Sequence, residues 1–259
     1  MAIGLIDTHA HLYLKEFDED RSELLDRARE LGLERILLPN IDSTTTSDLH
    51  KMVDEYPEMC LPMMGLHPCS VKPESYKQEL EHVRSNLNKN NYVAIGEIGM
   101  DLYWDKSTQE IQEEAFIEQC RWAVERDLPV AIHSRNATQE LIEILQRLKL
   151  KELRGVFHCF GDTMVEAQAI IDLGFFLGIG GVLTFKNSGL DKVVQHIDLK
   201  HLVLETDAPY LAPVPYRGKR NETGYVKLVA EKLAELHSVS LQQIADITSA
   251  NARELFHIP

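Results

Sequence analysis

Two histidines stand one residue apart in LIDTHAHL, residues 5 to 12. Further histidines and carboxylates follow apolar runs along the chain: Glu97 in YVAIGE, His133 in PVAIH, His158 in GVFH, and Glu205 with Asp207 in HLVLETD. Imidazole nitrogens and carboxylate oxygens are the donors that divalent transition metals take. In an extended segment alternate side chains share a face, so Asp7, His9 and His11 would all point one way and the two imidazoles could chelate one ion. The pair alone decides nothing. With 11 histidines among 259 residues, such a spacing arises by chance in about one chain of every two.

The elements that carry these residues give the pattern its weight. Short aliphatic or β-branched runs predict strands at 3–7, 35–40, 60–65, 92–97, 129–133, 155–158, 175–180 and 201–206. Between them lie stretches with helical spacing, such as Leu24, Leu25, Ala28 and Leu31, or Leu141, Ile144, Leu145 and Leu148, with further helices over about 224–237 and 240–256. Eight strands alternating with helices predict an α/β fold, a single-domain (β/α)8 TIM barrel over residues 1–259. An open doubly wound sheet is the runner-up, but no glycine-rich fingerprint follows the first strand and no linker marks a domain boundary.

In such barrels the reactive residues sit at the C-terminal ends of the strands. His9 and His11, Glu97, His133, His158, and Asp207 fall at five of those ends. A lone histidine there is usually an ordinary hydrogen-bonded side chain, and His50, His82, His196, His201, His237 and His257 are left in that class. Coincidence at five ends points instead to a metal site. Six donors exceed the four of a tetrahedral zinc, so two ions bridged by Glu97 fit better, with His9, His11 and Asp207 at one and His133 and His158 at the other. Two ions can activate a water and stabilise both the attacking and the leaving oxygen of a displacement, with Asp207 as proton acceptor. Glu205, two residues before Asp207, is either a carboxylate that orients substrate or ligand, and so catalytic, or an interior polar residue. His67 in GLHP lies just beyond the third strand, where it would touch substrate. Cys159 beside His158 looks like a nucleophile with its base, but neighbouring strand residues face opposite ways, so it reads as a small buried residue.

The formal charge of -14 argues against a broad basic face for nucleic acid. It leaves room for a local one: Arg135 lies just after His133, and Arg217, Lys219 and Arg220 cluster beyond the last strand, where they could hold a phosphate. The longest apolar run, FFLGIGGVLTF, is too short for a membrane span. Cys60, Cys69, Cys120 and Cys159 form no CxxC pair, as suits reduced thiols in a cytoplasm. A soluble monomer is the starting expectation.

DTHAHL with GLHP, AIGEIGMDLYWD, IHSRNA, FHCF and ETDAPYLAPVPYRGKRNE resembles the successive motifs of the TatD family of metal-dependent deoxyribonucleases, from residue 3 to the C-terminal helix. The resemblance implies a TIM barrel with His9, His11, Glu97, His133, His158 and Asp207 as ligands of divalent metals. It also implies 3′ to 5′ exonuclease action on DNA, single-stranded or at 3′ ends, supported by Mg2+. The imidazole-rich donor set by itself suits Zn2+ or Mn2+ better. Two rival functions are kept. Other branches of the superfamily place a carbamylated lysine at the end of strand four and hydrolyse amides, lactones or phosphotriesters, whereas this chain has Glu97 there. A metal-stabilised binding protein without turnover would lack several ligands.

Overall fold

A computed structural model describes residues 3–259. All eight strands are present: β1 Leu5–Asp7, β2 Leu33–Leu38, β3 Cys60–Pro62, β4 Ile95–Asp101, β5 Val130–Arg135, β6 Gly155–Phe157, β7 Phe176–Ile179 and β8 Leu202–Leu204. Each pairs in parallel with the next within two ladders, β1 to β3 and β4 to β8. Isolated bridges join the ladders, Ala10 to Ala208 and Met63 to Ala94. Around these seams the amides of Thr8 and His11 donate to the carbonyls of Leu204 and Ala208, and that of Met64 to Ala94. The result is a TIM barrel.

Helices return the chain between strands: α1 Arg21–Glu30, α2 Thr46–Glu55, α3 Tyr76–Leu87, α4 Gln109–Glu125, α5 Thr138–Leu148, α6 Met164–Asp172, α7 Leu190–Val194, α8 Val226–His237 and α9 Leu241–Phe256. Ser240 and Gln243 form a reciprocal cap at the start of α9, which satisfies amides that have no partner within the helix.

Strand periodicity sorts the apolar residues into two cores. Leu5, Ile36, Leu38, Val130, Ile132, Leu202 and Leu204 pack outward against the helices. Their neighbours Ile6, Leu37, Ala131, Val156 and Val203 fill the barrel, joined by Leu255, Phe256 and Ile258 at the end of the chain. Two residues beyond Ala131, Val156 and Val203, on the same inward face, come His133, His158 and Glu205. Because the strands are parallel, α9 closes the N-terminal end and the polar residues gather at the other.

Several strands differ from the expected bounds, β3 and β4 among them. β3 runs only to Pro62, beyond which pairing continues through single contacts, the Met63 amide donating to the Leu38 carbonyl and Met63 bridging to Ala94. β4 runs past Glu97 to Asp101, with a register shift against β5 between Ile95 and Ile98. Gly99 makes the extension possible. Its φ is +136°, and a Cβ there would overlap the carbonyl oxygen of His133, so only glycine lets the two backbones lie this close.

Candidate metal centre

Glu97 lies at the centre of the polar cluster and is buried. Its Oε2 faces His9 Nε2 at 3.2 Å and His11 Nε2 at 3.4 Å, while its Oε1 faces His133 Nδ1 and His158 Nε2, both at 2.8 Å, and His67 Nε2 at 3.3 Å. Asp207 Oδ1 lies 3.8 Å from His9 Nε2 and 3.6 Å from His11 Nε2. Three groups of donors fall close enough to share an ion: His9, His11 and Asp207; His9, Glu97 and His158; His67, Glu97 and His133.

Hydrogen bonds fix which nitrogen of two histidines faces inward. The Tyr13 hydroxyl donates to the Pro39 carbonyl at 2.6 Å, so it accepts from His11 Nδ1 at 2.9 Å. His11 is therefore the Nδ1–H tautomer, with the Nε2 lone pair toward Glu97 and Asp207. Asp101 does the same for His133. Burial works against the Asp101 charge, but hydrogen bonds from His133, Tyr103 and Trp104 bring it down to about 2. Its Oδ2 accordingly accepts from His133 Nε2 at 3.0 Å and leaves Nδ1 as the inward donor.

The donors suit a divalent cation. Among the described residues every ion-pair partner of Glu97 and Asp207 is a histidine, with no lysine or arginine to balance the carboxylates. Among the described residues the buried atoms His9 Nδ1, His158 Nδ1 and Glu205 Oε2 have no hydrogen-bond partner, an expensive condition for polar groups in an apolar surround. Burial opposes charge on Glu97, yet His67, His158 and His9 hold its carboxyl well below the usual range. Burial likewise opposes charge on His158, but Glu97 and Glu205 carry it well above the usual imidazole value. The cluster attracts positive charge. Burial pushes Asp207 up to about 6, against the pull of His158 and His11.

Residues 6–257 match the profile of a family described as TatD related DNase. The chain belongs to the TatD family. It is 39% identical to a Bacillus subtilis protein named as an uncharacterized metal-dependent hydrolase, YabD, over 98% of this chain and 99% of that one. It is 34% identical to a Rahnella protein named 3'-5' ssDNA/RNA exonuclease TatD, over 95% of each. The crystal structure of YjjV, a TatD homologue from Escherichia coli, superposes with a TM-score of 0.93 at 30% identity, covering all of both chains. The chain is thus a metal-dependent hydrolase of the TatD type.

Within this TatD barrel the six residues expected from sequence do converge, with adjustments. His67, expected at the substrate, stands in a donor group with Glu97 and His133. His158 stacks on His9, ring centroids 3.8 Å apart and 7° from parallel, and its Nε2 also lies 3.4 Å from His133 Nδ1. Asp7 does not join them: β1 ends there, and its carboxylate accepts instead from Thr206, Thr223 and the His9 amide. Glu205 is fully buried; its Oε1 accepts from the Cys159 amide and lies 3.7 Å from His158 Nδ1. Burial and the carboxylates of Asp207 and Glu205 hold the Cys159 thiol well above its usual value, which rules against a thiolate nucleophile at neutral pH.

The basic residues divide. Arg220 makes two hydrogen bonds to Asp20, at 2.7 and 2.6 Å, and others to the Glu16 carbonyl and Glu222. Its guanidinium ties the start of α1 to the loop after β8. Arg217 lies over the Phe185 ring, 4.4 Å from the centroid, and Lys219 near Tyr216. Neither has an ion-pair partner among the described residues. Arg135 is exposed and lies over Tyr103, 3.8 Å from the ring centroid.

Sequence reasoning passed over Asp101 and Tyr13. Asp101 lies four residues beyond Glu97 on β4, which extends past its expected end, and Tyr13 lies in the turn two residues beyond His11.

Proposed function

We propose that this chain is a divalent-metal-dependent nuclease that hydrolyses phosphodiester bonds of single-stranded nucleic acid from the 3′ end. The observation that carries the reading is the division of Glu97, one oxygen toward His9 and His11 and the other toward His133, His158 and His67. A carboxylate so divided suits two neighbouring ions and needs no carbamylated lysine. The name of the Rahnella relative supports nucleic acid as substrate.

Glu97 would bridge the ions, with His9, His11 and Asp207 on one side and His133, His158 and His67 on the other. Bound divalent ions supply Lewis acidity, easing the loss of a proton from water and offsetting charge on the phosphoryl oxygens. Asp207, the more exposed of the two carboxylates at the centre, would take a proton from the attacking water at its carboxylate. Tyr13 and Asp101 hold His11 and His133 in the required tautomers. Glu205, behind His158 with Oε1 3.7 Å from Nδ1, adds negative charge beside that ring. Arg135, Arg217 and Lys219 hold the strand's phosphates locally, which an acidic surface elsewhere does not prevent because exposed charges are screened within about 8 Å at physiological salt. The four cysteines are all free, in keeping with a cytoplasmic location. Among the described residues no helix is long and apolar enough to cross a membrane.

The test is digestion of single-stranded DNA and RNA labelled at either end, across a titration of Mg2+, Mn2+ and Zn2+, beside a panel of amide, lactone and phosphotriester substrates. Metal-dependent shortening from the 3′ end is expected. Turnover confined to the small-molecule panel would replace the nuclease with a small-molecule hydrolase, and metal binding with no turnover would leave a binding protein.

A further inference from the structure

Beside the candidate centre two aromatic rings face water. Trp104 is 71% exposed and Tyr103 53%, whereas Trp122, the other tryptophan of the chain, is buried. They sit on the loop that follows β4, edge to face, centroids 4.8 Å apart and planes at 89°. The Arg135 guanidinium lies 3.8 Å from the Tyr103 centroid and 5.2 Å from that of Trp104.

The loop is anchored to the centre itself. Asp101 Oδ1 accepts the amides of Tyr103 at 3.0 Å and Trp104 at 3.4 Å, while its other oxygen holds His133 Nε2. One carboxylate thus sets both the inward nitrogen of His133 and the backbone of the aromatic pair. Arg135, two residues after His133, braces Tyr103.

We propose that Trp104, held edge to face by Tyr103, is a stacking platform for an unpaired nucleobase of the strand whose backbone lies over the metal centre, a subsite that rests on the nuclease reading above. Large exposed rings are costly in water and gain when a flat apolar surface covers them. Every nucleobase offers such a surface, so the platform grips a strand without reading its sequence. Arg135 adds a positive charge beside it for the attached phosphate. The area also favours a base over a protein. Two rings of about 150–250 Å² each fall well short of the roughly 800 Å² per partner of a stable interface.

The experiment compares two phosphorothioate-linked oligonucleotides of equal length, one of thymidines and one wholly abasic, binding to metal-loaded wild type, Trp104→Ala and Trp104→Phe across a salt series. Fluorescence anisotropy gives the affinities; metal content and sedimentation are measured for each protein. Wild type should prefer the thymidine strand by about 5- to 150-fold for one stacked base. Trp104→Ala should lose that preference while keeping its abasic affinity and metal content, and Trp104→Phe should regain most of it. The lost factor should not vary with salt, because stacking releases no counterions, unlike a phosphate contact.

Equal preference in wild type and Trp104→Ala would overturn the platform and leave the nuclease standing. Failure of wild type to bind either strand would remove the nuclease reading and the platform with it. If Trp104→Ala weakened both strands equally and lost metal, the loop would be shaping the centre, and the platform would fall. A change in sedimentation on Trp104→Ala with no change in base preference would make the rings a contact between protein chains instead.

Discussion

The Tyr13 hydroxyl stands 2.9 Å from His11 Nδ1 while it gives its own proton to the Pro39 carbonyl. A carbonyl cannot donate, so the chain of two hydrogen bonds has one direction and His11 has one tautomer. Tyr13→Phe removes that constraint and leaves the ring in place. Metal affinity should fall by about 10-fold or more, as for other partners that orient metal-ligating histidines. A competition titration against a chromophoric chelator measures it; unchanged affinity would mean that His11 is not held through Nδ1.

Glu97→Gln keeps the shape of the side chain but replaces one oxygen with an amide nitrogen that donates and cannot ligate. Bound metal should drop by at least one ion per chain and turnover should be lost, while circular dichroism stays native. Elemental analysis of the purified variant checks the first point. Full activity with unaltered metal content would end the bridging assignment.

The loop after β8 should show a division of labour. Neutralising Arg217 and Lys219 together should flatten the dependence of log K on log salt by about 1.4 for a single strand, at roughly 0.7 per lost phosphate contact. Arg220→Ala should leave that slope alone and act on acid stability. The hydrogen bond from Arg220 is the main cause of an Asp20 pKa below the usual value of 3.8. A lowered carboxyl pKa contributes stability above the unfolded value and loses it as pH falls through the folded one. The variant should therefore be weaker than wild type at neutral pH, by less than about 1 kcal/mol for so exposed a pair. The difference should begin to shrink as pH falls below about 4 and go on shrinking as Asp20 is protonated in the folded chain, which denaturant titrations from pH 7 to pH 2 will show.

Gly99→Ala should cost more than about 2 kcal/mol, since it adds backbone strain to an overlap with the His133 carbonyl. Moving that carbonyl moves a candidate ligand, so metal content should fall as well. Gly189 has φ +72° but open space around the position of a Cβ. Gly189→Ala should cost only about 1–2 kcal/mol, the left-handed penalty alone. Thermal unfolding of the pair separates strain from collision.

The sequence by itself determined the barrel and the convergence at its mouth. Eight apolar runs alternating with helical stretches leave few arrangements, and parallel strands place everything that follows them at one end. His9 with His11, His133, His158 and Asp207 were legible because each follows such a run. What tertiary structure alone decided is how those donors are shared. The division of Glu97 between two sets, the entry of His67 into one and the stacking of His158 on His9 depend on strand register and barrel curvature, which no spacing in a single strand encodes. Asp101 was hidden by Gly99, whose missing side chain interrupts the apolar pattern while allowing β4 to continue against β5. Arg220 looked free because Asp20, its partner, lies two hundred residues away in the chain and 2.6 Å away in space. Charge type and position along a strand are local properties and can be read in order; which charge a given group has already neutralised is a property of the closed fold.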